Sequence, residues 1–241
     1  MDRGTLRALI IALGITIGGL LIGMGFSRAR SADRFVTVKG IAEREVSADV
    51  AVWPLRLVTA GNDLGATHAE LQRHVGRVRA FLESQGIDTS QTSLQGFVVT
   101  DALANPYAAA ERVASRYVIR QTVLVRSSDP QRVLAASQRV AELVNAGVVL
   151  SSGEEYGPGG PIFIFTQLNA LKPEMLAEST ARAREAAQQF ARDAQSGLGS
   201  IRRANQGIFE ILPRAPGPGM SEESQLLKTV RVVSTVEYFL E

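Results

Sequence analysis

EVSADVAVWPLRLVTAGNDLGATHAELQRHVGRVRAFLESQG, residues 45–86, changes its hydrophobic period once, and that change decides the fold class. Up to Gly61 the apolar side chains alternate, with Val46, Ala48, Val50 and Val52 on one face and Leu55 and Leu57 at the opposite parity. A period of two changes face only through an extra residue. One long, bent strand is therefore predicted over 45–61, with a bulge or bend near Trp53 and Pro54, where proline also removes a ladder donor. From 63 to 85 the spacing becomes helical: Leu64, Leu71, Val75, Val78 and Leu82 recur at intervals of three, four and seven. Asn62 or Asp63 can cap the start of that helix, and Gly86 stands where a left-handed C-terminal cap belongs.

Outward from this segment the same two periods repeat. FVTVKG (35–40) reads as a short strand, and 93–100 and 113–126 as two more, joined by the polar, proline-containing loop DALANPYAAAE. In the last of these, Val113, Tyr117, Ile119, Val123 and Val125 share a face opposite Arg116, Arg120 and Arg126, as a sheet with one buried side requires. Asp129-Pro130 starts an amphipathic helix over 133–144 that stops at Asn145-Ala146-Gly147. Residues 148–150 and 162–167 are strand-like. A long alanine-rich helix is predicted over 172–196, with Pro173 in its first turn, Gly197 after it, and alanines 177, 181, 183, 187, 191 and 194 allowing close approach to its support. Strands at 201–212 and 227–240 complete the chain, the last with Val230, Val232, Val236, Tyr238 and Leu240 on one face. The order implies an α+β fold of two strand-helix-strand-strand units joined by a helix, antiparallel sheets carrying helices on one face.

At the other end, residues 8–26 contain no charge and lie between Arg3/Arg7 and Arg28/Arg30/Arg34. As a helix this run is about 28 Å long, close to the thickness of a bilayer core. It exceeds the usual apolar core of a signal peptide, and arginines crowd each small-residue cleavage site, so an uncleaved single-pass anchor over 1–34 is expected. Gly14/Gly18 and Gly19/Gly23 have the small-xxx-small spacing of helix pairs in lipid. Basic residues flank both ends, so charge alone leaves orientation open; an exported C-terminal domain, 35–241, is adopted as the commoner arrangement.

Removing the anchor changes the charge balance. Of 26 basic and 24 acidic residues, 1–34 holds five and two, leaving 21 basic against 22 acidic in 35–241. The domain is near-neutral and lacks a basic run interleaved with aromatics, which argues against a nucleic-acid partner. The chain has no cysteine, so disulfides, thiolate metal sites and cysteine nucleophiles are excluded.

Residues that carry chemistry are sparse. His68 and His74, six apart on the predicted helix, point about 240° apart and cannot chelate one metal together; both are read as solvated. Glu154 and Glu155 are adjacent and precede the loop YGPGGP, so they do not form a convergent acid/base pair. Asp49, opposite in parity to its apolar neighbours, is assigned to water or to a hydrogen-bonded turn. Gly197-Leu198-Gly199 follows a helix and precedes a strand, the reverse of a phosphate-binding loop. No catalytic, metal or cofactor-binding residue is assigned, and the chain reads as non-enzymatic.

Four stretches resemble the SIMPL-domain family of bacterial exported proteins: FVTVKGIAEREVSADVAVWPLRLVTAG at 35–61, SQGID at 84–88, SRYVIRQTVLVRSSD at 115–129 and ARAREAAQQFARDAQSGLGSIRRANQG at 181–207. The resemblance covers nearly all of 35–241. It implies an α+β fold, an envelope or periplasmic location, homo-oligomers that in some members are large hollow particles, and a link in others to oxidative-stress tolerance. It supplies no catalytic residues. The expected protein is thus an inner-membrane, single-pass envelope protein with a periplasmic domain that self-associates, the strands 45–61 and 227–240 being the expected contact edges. The alternative is a module binding a small ligand or an envelope partner in a cleft between its two units.

Overall fold

The computed structural model describes residues 12–24, 34–104, 114–151 and 159–241. Residues 12–24 form a helix, α1. No described helix is long and apolar enough to cross a membrane; the ends of the expected 8–26 span lie outside the described residues. The domain is α+β: β1 (Phe35–Ser47), β2 (Val50–Gly61), α2 (Leu64–Ser84), β3 (Thr92–Asp101), β4 (Tyr117–Ser127), α3 (Pro130–Gln138), α4 (Ala141–Asn145), β5 (Ile162–Ile164), α5 (Leu168–Asp193), β6 (Leu198–Pro213) and β7 (Leu227–Leu240).

These elements make two sheets, ordered β1-β7-β6 and β3-β4-β2-β5. Both contain the same motif, in which the last strand in sequence lies between the first and the second: β2, α2, β3, β4 gives β2-β4-β3, and β1, α5, β6, β7 gives β1-β7-β6. Two strand-helix-strand-strand sets are therefore present, but the first strand of the second set is not 162–167. It is β1, from the start of the domain, while the three-residue β5 pairs with β2 in the other sheet. The chain also divides into two compact units.

One unit comprises the chain up to Glu43, Lys172–Glu210 and Arg231–Glu241. Within it β7 runs antiparallel to both neighbours. The Leu240 N–H donates to the Arg34 carbonyl while Arg231 meets Glu43 near the other end, and Gly197 and Glu241 exchange backbone hydrogen bonds. α5 lies on this sheet through Met175, Ser179, Ala183, Ala187 and Ala191, a strict four-residue stripe. The predicted alanines 177, 181 and 194 are exposed. The stripe packs on Val38, Val236 and Tyr238, and the Ser179 and Ser234 hydroxyls share a buried hydrogen bond of 2.7 Å. α5 starts at Leu168, ahead of the predicted 172, so Pro173 lies within it instead of in its first turn. Gln195, at φ 53°, takes the left-handed conformation just beyond the end of α5.

The second unit comprises Arg44–Leu171 and Ile211–Val230. Its core places Ala51, Trp53, Leu55 and Leu57 of β2 and Ile119, Val123 and Val125 of β4 against Leu71, Val75, Val78 and Leu82 of α2, with Val133 and Leu143 from α3 and α4. The side-chain oxygen of Asp63 accepts from the Ala66 N–H at 2.7 Å, and Gly86 adopts φ 72°, so both predicted ends of α2 are present. The predicted 133–144 helix is instead two, broken at Arg139 and Val140.

The change of face in 45–61 occurs at Ala48-Asp49, not at Trp53-Pro54. β1 ends at Ser47, β2 begins at Val50, and β2 pairs with β4 without a register shift through Trp53↔Val125 and Pro54↔Leu124. Asp49 holds the break, its carboxylate accepting from the Thr166 N–H at 2.8 Å and the Thr166 hydroxyl at 2.7 Å. Pro54 is tolerated because Arg56 and Val58 turn their backbone groups toward Ser151 and Val149, while β5 reaches only Val52. Two residues before Arg56, Pro54 faces that same side beyond the end of β5, where no ladder donor is required.

The strands expected to be contact edges are paired on both sides: β2 lies between β4 and β5, and β7 between β1 and β6. Among the described residues the edges are β1 and β6 in one sheet and β3 and the three-residue β5 in the other. β6 and β3 are exposed on both faces over most of their length, whereas β2 and β7 alternate buried and half-buried positions.

Candidate functional site

The four-stranded sheet buries its odd-numbered β2 and β4 residues under α2, which turns the even-numbered ones to the other face. Those include Arg56, Arg120 and Arg126. β2, β4 and β5 contain no Asp or Glu, and β3 contains one, Asp101, held by Arg116 at 3.0 Å at the sheet's end. The strands therefore give the face turned away from α2 arginines, Gln95, and otherwise apolar or hydroxyl side chains, with no carboxylate of their own there.

A local irregularity opens a cavity there. Gln95 pairs with Thr122 and Val98 with Arg120, so Gly96 and Phe97 together stand opposite Gln121. Gly96 takes φ 60°, the left-handed geometry of a bulge. The extra residue sends Phe97 to the helix side, where its ring meets His68 edge-on at 6.0 Å between centroids, and returns Val98 to the other face. A cavity of about 280 Å³ results, with Arg56 and Val58 on β2, Arg120 and Thr122 on β4, Gly96 and Val98 on β3 and Ser151 at its margin. Arg120 is exposed and has neither a hydrogen bond nor an ion pair among the described residues. Gln121, itself buried, has its carboxamide oxygen unpaired among the described residues.

This site was partly visible in the sequence. The parity of Arg120 and Arg126 was read correctly, and an isolated glycine inside a strand, as in LQGFVV, signals a bulge. Its pairing partner was not readable.

The other candidates lie elsewhere. Gly14, Gly18, Gly19 and Gly23 are on α1, where a methyl group at any of them would meet nothing within 4 Å. His68 is on the surface beside Gln72. His74 is not: it is buried, with Nε2 2.9 Å from a Glu70 carboxylate oxygen and Nδ1 without a hydrogen-bond partner among the described residues. The correction follows from helical geometry, because position 74 lies one turn from both Leu71 and Val78 and so shares their inner face. Asp49 occupies the hydrogen-bonded turn expected of it. Partial desolvation raises its carboxyl, but the hydroxyl and N–H bonds from Thr166 outweigh that and hold it below the usual carboxylate range. Glu154 and Glu155 lie outside the described residues. Among the described residues no group of three or more His, Asp and Glu side chains is placed to hold a metal ion.

Comparison with curated proteins found no match. The SIMPL family profile, described as a protein of unknown function (DUF541), matches residues 36–238. That match spans every strand of both sheets except Phe35 of β1 and the last two residues of β7. With the two-sheet α+β architecture and the four stretches that resemble it, the chain belongs to the SIMPL family.

Proposed function

We propose that this chain is a non-enzymatic envelope protein, anchored by residues 8–26 in the bacterial inner membrane with its domain in the periplasm, that self-associates through its SIMPL domain in support of stress tolerance. The observation that carries self-association is β6. Among the described residues this sixteen-residue strand is paired on one side only, and it exposes Ile201 at 50% and Ile208 at 82%. An open edge of that length offers unpaired N–H and C=O groups to another chain, and isolated monomers usually blunt such edges with short strands, charges or proline. Arg202 and Arg203 are the only charged residues between Leu198 and Phe209, and Pro213 stands at the strand's end. β3 is a second open edge, with Phe97, Val98 and Val99 exposed. The anchor rests on the charge-free run and its arginine flanks.

The mass of the full chain in detergent, by light scattering at micromolar concentration, tests the reading. An oligomer that dissociates on Ile208→Lys supports it, and a strictly monomeric parent protein refutes it. Membrane attachment is tested separately by carbonate extraction, where release into the supernatant rejects the anchor. A second reading, a binding module for a small ligand, is favoured by the cavity between Arg56, Arg120 and Val98.

A further inference from the structure

We infer that the cavity in the four-stranded sheet binds a small amphipathic carboxylate, its anionic group on Arg120 and its apolar body against Val58 and Val98. The inference rests on the binding-module reading and is independent of self-association. Three observations point to this class of ligand.

The first is charge. Arg120, at the cavity, is exposed and has neither a hydrogen bond nor an ion pair among the described residues. A guanidinium offers a planar fork of donors that fits a carboxylate at two points, which a solvated surface lysine does not. The second is lining: between the arginines Val58 and Val98 supply aliphatic walls, with the Thr122 and Ser151 side chains as the other polar groups. That mixture, apolar walls with a few placed polar groups, distinguishes a ligand pocket from a polyanion-binding surface, which would present more cations and fewer aliphatic side chains. The third is construction. The bulge at Gly96 removes a side chain where one would otherwise stand over Thr122, and a Cβ built at Gly96 would meet the Thr122 hydroxyl at 3.9 Å. At about 280 Å³ the space is near the lower bound for small-molecule sites, which limits the ligand to one short chain or one ring.

The test is isothermal titration of the purified full chain in dodecyl maltoside with 4-phenylbutyrate and, in parallel, the uncharged 4-phenylbutyramide, with protein-free micelles subtracted. Saturable binding of the acid, at least about tenfold tighter than that of the amide, is expected, because only the acid forms charge-assisted bonds. Arg120→Gln is expected to remove that preference, and Arg126→Gln, on the same face but outside the cavity, to leave it intact. Val98→Asp places a carboxylate at the cavity from an exposed edge-strand position; it is expected to abolish binding of the acid and spare the amide, and serves as the test if Arg120→Gln does not fold. Equal affinity for acid and amide, or an unchanged preference in Arg120→Gln, overturns the carboxylate site while leaving a binding module. Absence of saturable binding by either compound up to about 10 mM overturns both.

Discussion

The closest backbone approach in the first unit is testable with one methyl group. Gly40 sits on β1 beneath α5, and a Cβ built there lies 2.5 Å from the Ala183 nitrogen, 2.9 Å from the Ser179 carbonyl carbon and closer still to the Ser179 carbonyl oxygen. All three are helix backbone, so no rotamer change relieves the contact. Ordinary contact begins near 3.4 Å, and α5 must therefore retreat from β1 by roughly an ångström in Gly40→Ala. The retreat loosens Ala183 and Ala187 against Val38, Val236 and Tyr238, and stretches the buried Ser179–Ser234 hydrogen bond. Overpacking typically costs about 1–3 kcal/mol, and a clash with backbone alone belongs at the upper end, about 3 kcal/mol. For a domain of this size that corresponds to a fall of roughly 6–12 °C in Tm. Gly76→Ala is the control: Gly76 is in α2, a Cβ there meets nothing within 4 Å, and the change should stabilise by about 0.5–1 kcal/mol through helix propensity and the unfolded state. Urea denaturation followed by far-ultraviolet circular dichroism measures both. A Gly40→Ala midpoint within error of the parent, or shifted in the same direction as that of Gly76→Ala, refutes the claim that close helix–sheet contact requires glycine at 40.

Lys228 is completely buried, its ammonium bonded to the Glu222 carboxylate at 2.5 Å and to the Glu222 carbonyl at 2.6 Å, while the Glu222 side chain keeps 29% of its exposure. Glu222→Ala strands a buried cation and should cost about 3–5 kcal/mol, whereas Lys228→Met fills the same volume and leaves a carboxylate that water can reach, costing clearly less; equal losses in urea melts would contradict this asymmetry. Asp49 tests the chain break by pH. Its carboxyl is held below its ordinary value in the folded state, so the stabilisation it supplies is full above the unfolded pKa, about 3.9, and is lost as pH falls through the lower folded value. The stability gap between the parent and Asp49→Asn should be constant from pH 7 to about 5 and narrow as pH falls below about 4; a gap of undiminished size at pH 2 would show that the carboxylate's charge is not what holds Thr166.

Local features were legible in the sequence because local chemistry produces them. The Asp63 cap, the left-handed Gly86, the Asp129-Pro130 start of α3 and the alternation of β4 and β7 each depend on residues within a few positions of one another. Errors arose where two local patterns overlapped. The parity change at 45–61 was assigned to Pro54 because proline is a visible breaker, whereas the break is made by Asp49 through Thr166, 117 residues away. His74 was assigned to solvent for its polarity, although its helical position places it on the buried face.

The sequence by itself determined the α+β class, the element types, the near-neutral domain and the charge-free N-terminal run, since composition and period follow directly from the order of residues. Tertiary structure alone decided the partners. Period-2 alternation states that one face of a strand is buried but not which strand lies beside it, so nothing local distinguishes β1 from 162–167 as the first strand of the second set. Pairing over such separations is selected by the combined packing of both sheets. The same selection left β6 and β3 as open edges, enclosed β2 and β7, and set Arg56, Arg120 and the Gly96 bulge around one cavity.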